Sequence, residues 1–238
     1  LDVIFENNKK QKMNYKIHFD GKKACVLFIA IALLVSCGKD PGIDDKVFID
    51  ARDNHSYEIV AIGAQTWLAE NLAYLPSVFP SDQGSQTDPF CYVYGYEGTD
   101  VKSAAGSLNF ESYGVLYNWS QAQAICPTGW HLPSEAEWNT LSLAFGGDSL
   151  AGVKLRSKNG WNGKGNGDNA SGLNAIPGGY RNKAGGFFLL GENAGFWTTA
   201  EADSAGMAIV RDLGYDYPDF GRSSYDKRGG FSVRCIKN

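Results

Sequence analysis

The chain has 238 residues, 43% hydrophobic and 20% charged, and a formal net charge of −4. That balance excludes a disordered tail, a collagen-like rod and a polytopic membrane protein. With 29 Gly, 6 Trp, 12 Tyr and 13 Phe, the composition points to a loop-rich compact domain, not a helical bundle.

The first element is an uncharged run at residues 24–35, ACVLFIAIALLV. Its twelve residues fall short of the roughly 20 needed to cross a bilayer. Twelve fits the apolar stretch of a secretory signal, and Lys16, Lys22 and Lys23 supply the preceding positive charge. The run ends in Leu34-Val35-Ser36-Cys37-Gly38, which resembles the lipobox of bacterial lipoproteins. That resemblance implies a diacylglyceryl group on Cys37 and cleavage just before it, the mature protein carrying acyl chains such as palmitate. A plain secreted protein or a short buried helix are the alternatives. Residues 1–12 read as an upstream extension ahead of Met13, or else as part of a long positive region. Residues 13–36 form the signal, 37–46 the lipidated cysteine and tether, and 47–238 the domain.

Removing residues 1–36 leaves 16 Lys and Arg against 23 Asp and Glu, a net charge of −7. Such a surface disfavours nucleic acid, whose phosphates need cations. Attachment to the membrane is expected through acyl chains, at about 0.8 kcal/mol per buried methylene. Gly38 after the cysteine, where the inner-membrane retention signal has Asp, points to the outer membrane, facing the periplasm or the cell surface. Asp44 and Asp45 match a surface-export signal weakly.

Within the domain, residues 47–50 read as a strand and Asp53-Asn54 as a turn. Residues 57–62 are the hairpin partner, and 65–72 a corner with Trp67, Leu68 and Leu72 inward. Residues 81–89 are a loop. Residues 113–125 read as a short helix, ended by Pro127. Ser134 and Glu137 form a capping box ahead of Trp138, Leu141 and Phe145, which share one helical face up to Gly146-Gly147. After Leu150 only short strands are expected, around a loop at 162–172, with an alternating strand at 231–236. The pattern is α+β, with two short helices and a mainly antiparallel, loop-rich sheet.

Several stretches resemble the Fibrobacter succinogenes major paralogous domain family. They are Thr66-Trp67-Leu68-Ala69-Glu70-Asn71-Leu72, Gly114-Val115-Leu116-Tyr117-Asn118-Trp119, residues 126–134 (CPTGWHLPS), Pro177-Gly178-Gly179-Tyr180-Arg181 and residues 230–235 (GFSVRC). The LPSEAEW segment and the closing GFSVR are also similar to the formylglycine-generating enzymes. The resemblance implies a C-type-lectin-like domain with paired terminal strands. It also implies a Cys126–Cys235 bridge, leaving Cys91 as a buried free thiol. Read from composition alone, the three domain cysteines could equally be small buried hydrophobes.

Little points to chemistry. His55 sits in a turn and His131 precedes a helix, each with a structural reading. Glu135 and Glu137 lie two apart and diverge on a helix. A formylglycine-generating activity needs a cysteine pair near the end, and only Cys235 is there. No zinc motif occurs, and the loop oxygens of Asn162, Asn166, Asp168 and Asn169 lack the dense carboxylates of a calcium site. No cofactor or metal is expected, and no catalytic residue. The expectation is a non-catalytic binding module for glycan or a surface protein. Its exposed candidate residues are Trp161, Asn162, Tyr180, Arg181, Asn182, Tyr215, Tyr217 and Tyr225. The alternatives are a structural envelope protein without a ligand, and an enzyme of unknown type.

Overall fold

The computed structural model describes residues 46–238. The lipobox, Cys37 and the signal segment lie outside the described residues. Five helices and twelve strands follow in chain order: β1 (Val47–Ile49), β2 (Ser56–Ile62), β3 (Gln65–Leu68), β4 (Cys91–Tyr92), α1 (Val101–Ala105), α2 (Leu108–Tyr113), β5 (Leu116–Tyr117), α3 (Trp119–Ala122), β6 (Trp130–His131), α4 (Glu135–Leu143), α5 (Asp148–Leu155), β7 (Tyr180–Arg181), β8 (Phe187–Phe188), β9 (Asn193–Glu201), β10 (Met207–Gly214), β11 (Phe220–Asp226) and β12 (Ile236–Lys237).

A five-stranded sheet has the order β1-β2-β3-β12-β6, and a three-stranded sheet the order β11-β10-β9. Two small ladders, β4-β5 and β7-β8, complete the strands, and every ladder is antiparallel. Within the three-stranded sheet, β9 and β10 are largely buried on both faces because they alternate two apolar sets, while β11 is partly exposed. Trp197 and Val210 enter one core with Tyr57, Leu72, Tyr117 and Phe231. Phe196 and Leu213 enter a second with Trp67, Trp138, Leu155 and Phe220. Period-two alternation thus places neighbouring residues of one strand in different cores. Trp67 and Trp138 pack at 4.6 Å between ring centroids, and truncating either to Ala costs about 3–5 kcal/mol.

A domain this rich in loops has many carbonyls without ladder partners, and buried arginines satisfy them. Arg181 donates to the carbonyls of Ser81, Gln83 and Arg228. Arg211 reaches Asn139, Asp148 and the Phe220 carbonyl. Arg234 reaches the Leu68 and Leu173 carbonyls and Asn71.

The capping box forms as the sequence predicts: Ser134 Oγ accepts from Glu137 N, and Glu137 Oε2 accepts from Ser134 N at 2.7 Å. Other expectations need correction. Residues 113–125 are not one helix. Gly114, at φ 74°, ends α2; Leu116–Tyr117 then pair with β4 before α3 makes a single turn. α4 ends at Leu143 with Ala144 as its C-cap, and Gly147 starts α5, so helix resumes and runs past Leu150, where the sequence predicts only strands. The terminal strands share a sheet without touching, since the β2-β3 hairpin stands between β1 and β12. Residues 231–236 form isolated bridges from Phe231 to Tyr117 and from Ser232 to Phe196, then join β12.

Cys126 and Cys235 form a disulfide with Cα atoms 5.9 Å apart. Cys91 is a buried free thiol, and burial pushes its pKa up to about 12.

Candidate functional site

The eight residues singled out from the sequence divide into three groups. Trp161 and Arg181 are buried, at 5% and 1% exposure, so the expectation that they are exposed fails. Trp161 Nε1 donates to Ser157 Oγ and the Ala175 carbonyl, which anchors the loop that follows. Arg181 is spent on loop carbonyls and lies over the Tyr92 ring at 4.3 Å. Asn182 is also structural: its Oδ1 accepts from Ala184 N and Gly186 N and closes the β7-β8 turn.

Tyr180, Tyr225 and Tyr217 come together on the β9-β10-β11 face. The Tyr180 ring lies 5.7 Å from Tyr225 and 5.9 Å from Phe188, with Phe231 stacked beneath it at 5.3 Å. Asp212 stands nearby with Gly195 and Gly221 as its cross-strand partners. Its Oδ1 accepts from Ser223 Oγ and its Oδ2 from Tyr217 OH, both at 3.0 Å. A Cβ on Gly221 would meet the Asp212 carboxylate at 2.9 Å, so the glycine makes room for it. Burial, then Asp212, raises the pKa of both Tyr217 and Tyr225 and keeps these hydroxyls protonated. Phe188 is the outermost ring, 43% exposed.

Asn162 and Tyr215 sit at the 162–172 loop. Asn162 Nδ2 donates to Glu192 Oε1 at 3.4 Å, and the Tyr215 ring lies 3.8 Å from where a Cβ on Gly163 would stand. The other loop oxygens serve the loop itself: those of Asn166, Asp168 and Asn169 accept from the backbone of Trp161, Ala170 and Asn174. Among the described residues no group of three His, Cys, Asp or Glu could hold a metal ion.

Both ring nitrogens of His131 are engaged, Nδ1 with Asn238 Oδ1 at 2.6 Å and Nε2 with Glu137 Oε1 at 2.8 Å. Glu135 faces away from that pair and binds Arg222.

A second feature is one the sequence reading missed. A cleft of about 590 Å³ is walled by four separate segments, which bring Glu58, Glu70 and Glu111 alongside His55, Phe110 and Tyr113. Glu70 Oε1 accepts from Glu58 N at 2.8 Å, and Oε2 lies 3.8 Å from His55 Nε2. At that distance there is no hydrogen bond, and no hydroxyl or thiol is bonded to His55 among the described residues. No sequence spacing links Glu58 on β2, Glu70 after β3 and Glu111 on α2. Only the outward phase of Glu58, next to inward Tyr57, is readable.

The described residues form a domain of helices and mainly antiparallel sheets, closed by one disulfide. The family model of the Fibrobacter succinogenes major domain matches residues 60–237, and the chain belongs to that family. No curated protein and no solved structure matches it.

Proposed function

We propose that this chain is a cell-envelope lipoprotein whose domain is a non-catalytic, lectin-like module that binds glycan. The apolar run at 24–35 and the following Cys37 support the lipid anchor and an outer-membrane location. A variant of the C-type-lectin-like fold is supported by the bridge from the segment after α3 to the last strand, and by β12 lying between β3 and β6.

One observation carries the glycan reading: the rings of Phe188, Tyr180 and Tyr225 follow one another, and the last of them feels the carboxylate of Asp212, which also accepts from Tyr217 OH. Aromatic faces cover the C–H faces of sugar rings, and a fixed carboxylate accepts from neighbouring hydroxyls. His131, with both nitrogens engaged, supports a binding role over a catalytic one.

A glycan array on the protein tests this, with Phe188→Ala and Asp212→Asn as controls. Binding to a glycan class that both variants weaken supports the reading. Binding to none favours a structural envelope role. For the anchor, metabolic palmitate labelling that persists in Cys37→Ser would overturn it.

A further inference from the structure

We propose that the cleft beside β2 and α2 binds an extended organic cation, an alkyl chain bearing protonated amines, as in a free polyamine or a lysine side chain. The cleft lies apart from Asp212 and its aromatic neighbours and shares no residue with them, so the two proposals stand or fall separately.

Charge gives the sign of the ligand. The lining carries Glu58, Glu70 and Glu111 and neither Lys nor Arg, so phosphates, sulfates and carboxylates are repelled. Geometry gives its shape. The three carboxylates come from three different segments, and no group of three ligating side chains among the described residues could hold a metal ion. Glu58 and Glu70 stand side by side, the Ala69 amide donating to the Glu58 carbonyl, and Glu111 comes from α2; charge on these two walls matches a ligand whose own charges are spread along a chain. The volume, about 590 Å³, is that of a small-molecule site.

The walls supply the remaining chemistry. Phe110 and Ile176 offer apolar surface to methylenes, and the Tyr113 ring suits an ammonium. The floor is rigid. Glu70 is fixed by the Glu58 amide. The neighbouring Asn71 side chain is held by Arg234, Ser232 and the Tyr113 carbonyl. A preformed acceptor loses little freedom when a ligand arrives.

The test is calorimetric titration of the full chain in neutral detergent. The probes are spermidine, a trilysine peptide, the neutral analogue hexane-1,6-diol and Mg²⁺. Saturable binding of spermidine or trilysine is expected, weakened by salt and absent for the diol. The tighter of the two amines identifies the source. Glu70→Gln and Glu111→Gln should each weaken binding about tenfold, or about 1.4 kcal/mol, while Asp203→Asn leaves it unchanged. Glu111 is exposed, so its variant carries the test if Glu70→Gln lowers the unfolding temperature. No saturable heat from either amine overturns the proposal. So does equal binding of the diol, competition by equimolar Mg²⁺, or unchanged affinity in the double variant.

Discussion

Arg234 Nη2 donates to Asn71 Oδ1 at 2.7 Å, across 163 positions of sequence. The guanidinium is fully buried, and among the described residues it has no carboxylate partner and its Nε has no acceptor. Burial pushes its pKa down, and it remains charged at neutral pH. Two backbone carbonyls and one amide therefore depend on this one cation. Arg234→Ala should destabilise the domain by about 3–5 kcal/mol, because it strands buried acceptors and opens a void. Urea unfolding measures the loss. Arg234→Lys should recover only part of it, since an ammonium lacks the planar fork.

Gly152 inverts the usual rule for helix glycines. Ala at a helix interior normally stabilises by about 0.5–1 kcal/mol over Gly. Here a Cβ would lie 2.2 Å from the Pro218 carbonyl oxygen and 2.7 Å from that of Asp219. These are backbone atoms, so α5 must move off the 218–219 segment. Gly152→Ala should lower stability by about 2–3 kcal/mol, and an unchanged or raised midpoint would refute the close approach.

The disulfide closes a long loop, with 109 residues separating its cysteines. Reduction, or Cys126→Ser with Cys235→Ser, should cost about 4–5 kcal/mol by chain entropy, seen as a lower denaturant midpoint. Cys91 should resist thiol reagents in the folded protein and react on unfolding, since burial raises its pKa.

Stability should fall at alkaline pH. Burial raises the pKa of Tyr57 and Tyr117, and that of Tyr92 to about 12. An acid whose pKa is higher in the folded state contributes stability that is fully present below about pH 10, its unfolded pKa. That contribution is lost as pH rises from there through the folded values. Unfolding midpoints should begin to fall above about pH 8.5, where the buried Cys91 thiol starts to count, and fall more steeply above about pH 10, while Tyr57→Phe reduces the steeper part.

The capping box is the best-read local feature, because its signal is local: Ser134 and Glu137 lie within one turn of the helix they start. Ser134→Ala should cost about 1 kcal/mol, measured as above. The caps of α1 and α2, Asp100 and Ser107, carry the same kind of signal. Their helices are short, and only Val101, Ala104 and Phe110 reach a small separate core, so no periodic stripe advertises them. Leu116 has helical spacing with Trp119, yet strand pairing of Leu116 and Tyr117 with Tyr92 and Cys91 overrides it. The aromatic residues show the same limit. Composition flags Tyr180 and Trp161 alike, and only the fold separates a ring near the surface from one that pins a loop. The cleft was invisible because its carboxylates meet only through topology.

The bridge between Cys126 and Cys235 bears on how the protein endures protease attack. The loop at 162–172 is its longest polar, strand-free stretch within that span. A scission there would leave both pieces linked through sulfur, so a nicked copy would stay whole on a non-reducing gel and part only after thiol treatment.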